Sequence, residues 1–264
     1  MGQKEKRIGV VDSGLGGLTL VKELELQLPG EDIVYFGDNV NCPFGNRPRE
    51  EILKLALVML GFMQAKGVKA VAVACNTIST LVDELRKRFE FPIVSVIEEA
   101  CKNIAAMKLA QTGLFATEFT IKEGLYDKEL HRLSPQTKVF GLASRSLATL
   151  VDEGRFNEGP TTEEVHSLLN TLLKAHPGLK HIVLGCTHYP VVQDLFEKEA
   201  PGISFINPAA AQAGAVKALL LENGLANNSL KPALDIYTSG QELPYKAAIK
   251  KLVIGRPYAL SAIK

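Results

Sequence analysis

Short apolar runs recur along the chain, and a polar or glycine-rich segment and then an amphipathic stretch follow each of them. The clearest runs begin at Ile8, Ile33, Ala70, Thr112 and His181. Runs of Val, Ile, Leu and Ala without alternation are typical of parallel strands that are buried on both faces. The amphipathic stretches between them predict helices, so the pattern predicts an α/β protein with parallel sheets.

The alternation of strands and helices stops after the fourth strand and restarts at Thr112, which indicates two similar halves of about 100 residues each. An apolar run at Leu234 near the C-terminus is expected to return to the first sheet. We therefore expect two pseudosymmetric domains, each a parallel sheet covered by helices, with the active site in the cleft between them. The predicted first domain comprises residues 1–97 and 209–264, and the second comprises residues 98–208.

Composition excludes several classes of function. The 264 residues are 46% hydrophobic and 22% charged, and a net charge of +1 argues against a nucleic-acid-binding surface. No apolar leader precedes the first strand, and no segment is long enough to span a membrane. The four cysteines lack the spacing of a disulfide framework, which favours a reducing compartment. We expect a cytoplasmic protein that binds neither membrane nor nucleic acid.

Two of the cysteines occupy matching positions. Cys75 and Cys186, 186 − 75 = 111 residues apart, each end an apolar run and precede a predicted helix. A helix N-terminus lowers the pKa of a thiol, so both are candidates for reactive thiolates. Either cysteine alone is equally well explained by packing, but the matched pair favours chemistry. Cys101 is expected in the core, whereas Cys42 lies in a polar loop, and its role is left open.

A dinucleotide site is the main alternative, because a glycine-rich turn, Ser13–Gly17, follows the first strand, and Asp38 ends the second. Two features weaken it: Thr19 replaces the third glycine, and Asp12 places a carboxylate where pyrophosphate would lie. A closed zinc site is not indicated, because paired CxxC and His-Glu-x-x-His motifs are missing from the sequence. A serine nucleophile elbow is missing as well.

The chemistry that remains is proton transfer by two thiols. A cysteine with an ordinary pKa of about 8.5 needs only a modest depression to act as a base near neutral pH. Two thiols on opposite sides of a bound carbon can remove a proton from one face and deliver one to the other. The product of such a reaction is the mirror image of the substrate.

At this point a family resemblance becomes specific. The chain resembles the cofactor-independent glutamate racemases in motifs that extend over nearly its whole length: DSGLGGLT from Asp12, YFGD from Tyr35, PFGNR from Pro43, ACNT from Ala74, ATEFTI from Ala116 and LGCTHYP from Leu184. The resemblance implies a two-domain enzyme that interconverts L- and D-glutamate, supplies D-glutamate for peptidoglycan, and uses neither a metal nor another cofactor.

Carried over by position, the resemblance makes Cys75 the base for D-glutamate and Cys186 the base for L-glutamate, with Asp12 assisting the first thiol and His188 the second. Asp152 stands where the family often has a glutamate that supports the histidine, but the neighbouring Glu153 is an equal candidate. The substrate-binding residues implied are Ser13, Phe44, Gly45, Asn76, Thr77, Thr117, Thr120 and Thr187.

Three positions depart from the family pattern and leave the shape of the pocket open. Phe44 replaces a usual tyrosine, Cys42 replaces a usually aliphatic residue, and Ile78 stands where a small residue is common. The partners expected are a small-molecule substrate and a second copy of the chain in a homodimer. Related racemases and isomerases of aspartate and other dicarboxylic acids remain alternatives, as does a two-lobed amino-acid sensor, which would need no thiols.

Overall fold

The computed structural model describes residues 2–252 and 254–263, and within them ten strands form two parallel β-sheets. The strands are β1 (Ile8–Asp12), β2 (Ile33–Gly37), β3 (Ala70–Val73), β4 (Ile93–Ser95), β5 (Gln111–Ala116), β6 (Lys138–Ala143), β7 (His181–Gly185), β8 (Ser204–Ile206), β9 (Leu234–Thr238) and β10 (Ala259–Ala262). The first sheet has the order β10-β9-β2-β1-β3-β4, and the second has the order β6-β5-β7-β8. The predicted α/β class with two parallel sheets is confirmed.

Helices cover both sheets. They are α1 (Leu18–Gln27), α2 (Arg49–Ala65), α3 (Asn76–Ser79), α4 (Val82–Arg86), α5 (Val96–Ala106), α6 (Glu118–Glu123), α7 (Leu125–Leu133), α8 (Leu147–Asp152), α9 (Gly159–Ala175), α10 (Gln193–Glu199), α11 (Ala209–Glu222) and α12 (Glu242–Leu252). Across the described ranges, none of them combines the length and apolarity that a membrane crossing requires.

The C-terminal part of the chain returns to the first sheet. Leu234 pairs in parallel with Ile33, so β9 lies beside β2, and β10 adds a further strand that the sequence pattern did not predict. The helix predicted after Cys75 is instead divided into α3 and α4. The division occurs where the amides of Thr80 and Leu81 bond to carbonyls three residues back, which is the tighter 3₁₀ pattern.

The two sheets share a continuous apolar core. Val10 and Leu15, from the first half of the chain, belong to the same buried cluster as Phe115 and Leu184 from the second sheet. Burial of side chains from both sheets in one cluster fixes the carboxyl ends of β1 and β7 close to each other. The site therefore forms where the two halves meet.

Domain boundaries follow the sheets only approximately. Strands of the first sheet lie within residues 8–95 and 234–262, and those of the second within residues 111–206. The boundary predicted between residues 97 and 98 falls within the first turn of α5. The boundaries proposed from the sequence stay a prediction.

Candidate active site

Cys75 and Cys186 lie at equivalent places in the two sheets. Cys75 follows β3 in the first sheet, and Cys186 follows β7 in the second. Both are buried, with 4% and 6% of their surfaces exposed. They line one cavity between the sheets. The topology thus brings together two thiols that are distant in sequence.

Most of the residues predicted for the site line this cavity. Those that do are Ser13, Phe44, Gly45, Cys75, Asn76, Thr77, Thr117, Cys186, Thr187 and His188. The other three, Asp12, Thr120 and Asp152, lie behind it and reach it through hydrogen bonds to Thr187, Thr117 and His188, respectively.

The environment of Cys75 differs from the sequence-based expectation. Its thiol donates to Ser13 Oγ at 3.5 Å, and the residue caps the four-residue helix α3. Burial, together with the negative charge of Asp12, raises the pKa of Cys75 to about 12. The expected lowering by a helix N-terminus is therefore wrong for Cys75, because loss of hydration outweighs what one turn of helix offers.

Asp12 ends β1 with its side chain fully buried. Its carboxylate accepts hydrogen bonds from the amide of Gly17 at 2.9 Å, from the amide of Gly14 at 3.3 Å and from Thr187 Oγ1 at 3.0 Å. Burial raises its pKa to about 6, although the nearby His188 and these three donors oppose the shift. A carboxyl group with this pKa exchanges its proton close to neutral pH.

The glycine-rich turn after β1 serves this carboxylate. The amides of Gly14 and Gly17 donate to Asp12, so they do not point at a site for pyrophosphate. A Cβ atom on Gly16 would lie 2.5 Å from the backbone of Thr187 and His188 in the other half of the protein. The glycines therefore permit close contact between the two halves, which explains the turn without a dinucleotide.

His188 lies between Cys186 and Asp152. Its Nδ1 atom is 3.7 Å from Cys186 Sγ, and its Nε2 atom is 2.9 Å from Asp152 Oδ1. Burial disfavours the charged imidazole, but contacts with Cys42, Asp152 and Cys186 raise the pKa of His188 well above its usual range. Of the two acidic residues that the sequence left open, Asp152 contacts the histidine, whereas the exposed Glu153 pairs with Arg155 at 3.3 Å.

Three threonine hydroxyls form a buried triangle at the cavity wall. Thr77 Oγ1 lies 3.1 Å from Thr117 Oγ1 and 3.5 Å from Thr120 Oγ1, and the last two are 3.0 Å apart. Gly45 packs directly on Thr117, because an added Cβ atom there would lie 2.3 Å from Thr117 Cβ. The triangle joins helices of both halves of the protein.

Asn76 presents a buried donor at the same wall. Its Oδ1 atom accepts a hydrogen bond from the Tyr126 hydroxyl at 2.8 Å, and this bond does not involve Nδ2. Among the described residues, Nδ2 has no hydrogen-bond partner. A buried donor without a partner is costly, so it favours an acceptor on a ligand in this cavity.

Sequence reasoning missed Tyr126 and left the role of Cys42 open. Tyr126 orients Asn76 from helix α7, and no local pattern marks it for that role. Cys42 lies with its Sγ atom 3.9 Å from His188 Nε2. Its position in the loop after β2 was a usable signal, because ligand sites in parallel sheets form beyond the carboxyl ends of strands.

Comparison with known proteins places this geometry in a family. A family model described as Asp/Glu/Hydantoin racemase matches residues 8–216. The chain belongs to this racemase family. The curated glutamate racemase of Carboxydothermus hydrogenoformans is 35% identical to this racemase over 240 residues, which are 90% of this chain and 89% of that protein.

Solved structures of glutamate racemases agree with this family assignment. The glutamate racemase isoform RacE1 from Bacillus anthracis matches with a TM-score of 0.89 and 30% identity, over 99% of this racemase and 98% of that chain. The glutamate racemase from Francisella tularensis, solved in complex with D-glutamate, matches with a TM-score of 0.86 and 29% identity over the same shares. The predictions of racemase fold, family and enzyme class are confirmed.

Proposed function

We propose that this racemase interconverts L- and D-glutamate by moving the Cα proton between two thiols. The observation that carries the proposal is that Cys75 and Cys186, from different sheets, line the same cavity. Bases on two sides of a planar carbanion allow a proton to leave one face and another to arrive at the opposite face. The names of the relatives above, and the D-glutamate complex of one of them, support glutamate as the substrate.

In the proposed reaction Cys75 acts on D-glutamate and Cys186 on L-glutamate. A thiolate takes the Cα proton, the electron pair of the C–H bond stays on carbon, and the opposite thiol then gives its own proton to that carbon. One proton leaves and one arrives, so no redox partner or leaving group is needed. The two cysteines end the turnover with their protonation states exchanged.

The raised pKa of Cys75 requires a source of positive charge for its thiolate. An amino-acid substrate carries that charge on its ammonium group, so we infer that substrate binding promotes deprotonation of the thiol. Asp12, with a pKa raised to about 6, is suited to hold or pass the proton near Cys75. His188 takes the corresponding part beside Cys186.

Recognition of the substrate carboxylates is assigned to polar groups of the cavity wall. Asn76 Nδ2 and the hydroxyls of Thr77 and Thr117 are buried donors, and hydrogen bonds from such groups to an anion are among the stronger ones in proteins. Ser13 and Thr187 flank the two cysteines on the remaining sides. The D-glutamate produced is proposed to serve peptidoglycan synthesis.

An activity assay tests the proposal. Purified protein should convert either enantiomer of glutamate to the racemate, as followed by circular dichroism or chiral chromatography, and should do so at full rate after exhaustive chelation and dialysis. D-aspartate should be turned over much more slowly. Preferred turnover of aspartate would replace glutamate as the substrate, and binding of glutamate without turnover would favour the sensor.

A homodimer and a cytoplasmic location complete the proposal. The homodimer is what the resemblance to glutamate racemases implies, and four cysteines without the spacing of a disulfide framework support the cytoplasmic location. Light scattering coupled to size-exclusion chromatography should give twice the chain mass of 28.6 kDa. A monomer with full activity would remove the homodimer from the proposal and leave the racemase assignment intact.

A further inference from the structure

A thiol that the proposed reaction does not use lies against its histidine. Cys42 Sγ is 3.9 Å from His188 Nε2, and Asp152 Oδ1 is 2.9 Å from the same nitrogen. These three donor atoms all lie within 4.8 Å of one another. They come from the loop after β2, the end of α8 and the segment after β7, so the fold brings together three ligand types that the sequence keeps far apart.

Sulfur, imidazole nitrogen and carboxylate oxygen are the ligands that zinc takes in proteins. Zinc binds sulfur at about 2.3 Å and nitrogen at about 2.1 Å, so a tetrahedral site places the two atoms about 3.6 Å apart. Cys42 Sγ and His188 Nε2 are 3.9 Å apart, so a small movement of either side chain brings them to that spacing. Three protein ligands form an open site, in which water takes the fourth position.

Neighbouring groups already orient the ligands. The Asp152 carboxylate accepts hydrogen bonds from the Leu15 amide at 2.9 Å and from Asn39 Nδ2 at 2.7 Å. The second ring nitrogen of His188, Nδ1, lies 3.5 Å from Thr187 Oγ1. Fixed carboxylates and a histidine whose other nitrogen has a polar neighbour are typical of the surroundings of metal sites.

Access and charge also favour a cation. Cys42 and Asp152 are both partly exposed residues, so the cluster lies near the surface of the protein. The carboxylates of Asp152 and Asp12 both lie near the Cys42 thiol. Those carboxylates oppose a free thiolate but attract a divalent ion, which displaces the thiol proton when it binds.

We propose that Cys42, Asp152 and His188 form a binding site for a thiophilic divalent cation, and that the bound ion inhibits the enzyme. With a metal on Nε2, His188 can no longer exchange a proton at that nitrogen or keep its bond to Asp152. The inhibitory part rests on the proposed racemase function, whereas the binding part does not depend on it.

Cobalt(II) is the probe for the binding part, because cobalt bound to a thiolate has a charge-transfer absorption that cobalt bound only to nitrogen and oxygen lacks. Titration of the purified full-length protein should produce this band with one equivalent of cobalt. Cys42→Ala should abolish the band and weaken zinc binding by more than the ten- to hundredfold that loss of an outer partner costs. Cys101→Ala, which removes a buried thiol elsewhere, should leave the band unchanged.

Inhibition is measured separately, with each variant compared with its own rate before zinc is added. Zinc should inhibit the wild type reversibly, and a chelator should restore the rate. Cys42→Ala should need at least about tenfold more zinc for half-inhibition. A charge-transfer band that persists in Cys42→Ala and disappears in Cys186→Ala would assign the metal to the catalytic thiol and overturn the proposal. The absence of a band in the wild type would overturn it as well.

Discussion

The hydroxyl of Thr187 donates to the carboxylate of Asp12 at 3.0 Å, across the boundary between the two sheets. Asp12 ends a strand of the first sheet, and Thr187 follows a strand of the second. Each residue adjoins the thiol of its own half: Thr187 is next to Cys186, and the charge of Asp12 acts on Cys75. The contact between the two halves and the proton affinity of Asp12 are therefore linked through one hydrogen bond.

The pKa of about 6 for Asp12 predicts how stability depends on pH. The folded state holds this proton more tightly than the unfolded state, so the contribution of Asp12 is complete below about pH 4 and is lost as the pH rises through 6. The Asp12→Asn variant has no titratable group at this position, so its stability does not fall in this way as the pH rises. The free energy of unfolding of the variant, relative to the wild type, should increase between pH 4 and pH 7 by up to about 3 kcal/mol.

Urea unfolding at several pH values measures this difference. Turnover of Asp12→Asn should meanwhile fall by at least about tenfold, because the amide cannot take a proton. A difference in unfolding free energy that stays constant across this pH range would show that Asp12 does not titrate there.

The two thiols should divide the faces of the substrate between them. Cys75→Ser should abolish racemisation but keep abstraction of the proton of L-glutamate by Cys186, and Cys186→Ser should keep abstraction from D-glutamate. A serine hydroxyl is too weak a base to start the reaction on its own face. Elimination of chloride from each enantiomer of a chlorinated glutamate measures single-face abstraction, because it requires no return of a proton.

Racemisation in deuterium oxide supplies a companion measurement for the wild type. The newly formed enantiomer should carry solvent deuterium at Cα, since the delivering thiol exchanges with solvent. Identical enantiomer preferences in the two serine variants, or ordinary racemisation by either, would contradict the assignment of one thiol to each face.

Asp152→Asn should lower kcat/KM by about tenfold or more in both directions, because the equilibrium constant of a racemisation is fixed by symmetry. Loss of the carboxylate should also lower the pKa of His188, so the limb of the pH profile that reports this histidine should move to lower pH. Glu153→Gln is the matched control, because that side chain is exposed and pairs with Arg155. Equal effects of the two substitutions would remove Asp152 from its positioning role.

Lys69 and Glu31 form an ion pair whose side chains are both fully buried. Lys69 Nζ also donates to the carbonyls of Lys4 and Leu225, so the pair joins four segments of the chain. Lys69→Met should cost about 3–5 kcal/mol of unfolding free energy, because it leaves a buried carboxylate without its partner. Urea unfolding measures the loss, and Lys66→Met, at an exposed lysine, should cost under about 1 kcal/mol. A similar small loss for Lys69→Met would contradict the argument.

The sequence allowed prediction of the features that depend on strand order. Apolar runs identified the strands that end near Asp12, Cys75 and Cys186, and the general rule for parallel sheets placed those ends at a common cleft. The apolar run at Leu234 indicated a further strand, and its predicted return to the first sheet is confirmed by its pairing with β2. The sequence pattern did not predict strand β10, because Ala259–Ala262 is short and largely exposed.

Other features depend on tertiary packing that no local pattern records. The choice between Asp152 and Glu153 depends on helix rotation, because adjacent residues point about 100° apart around the axis. Cys75 is buried in an apolar cluster that brings together residues as distant in sequence as Val11 and Phe44, and this burial raises its pKa. The contact between Cys42 and His188 depends on how a polar loop folds across the cleft.

The hydroxyl triangle of Thr77, Thr117 and Thr120 has a mechanical consequence. Each hydroxyl has one hydrogen on a rotatable C–O bond and can both donate and accept, so the three oxygens satisfy one another. Turning a single torsion redirects one hydrogen toward an incoming carboxylate while the oxygen keeps accepting from its neighbour. The hydroxyl hydrogens at this wall can thus reorient by rotation about their C–O bonds, and anion binding by these hydroxyls requires no displacement of the backbone.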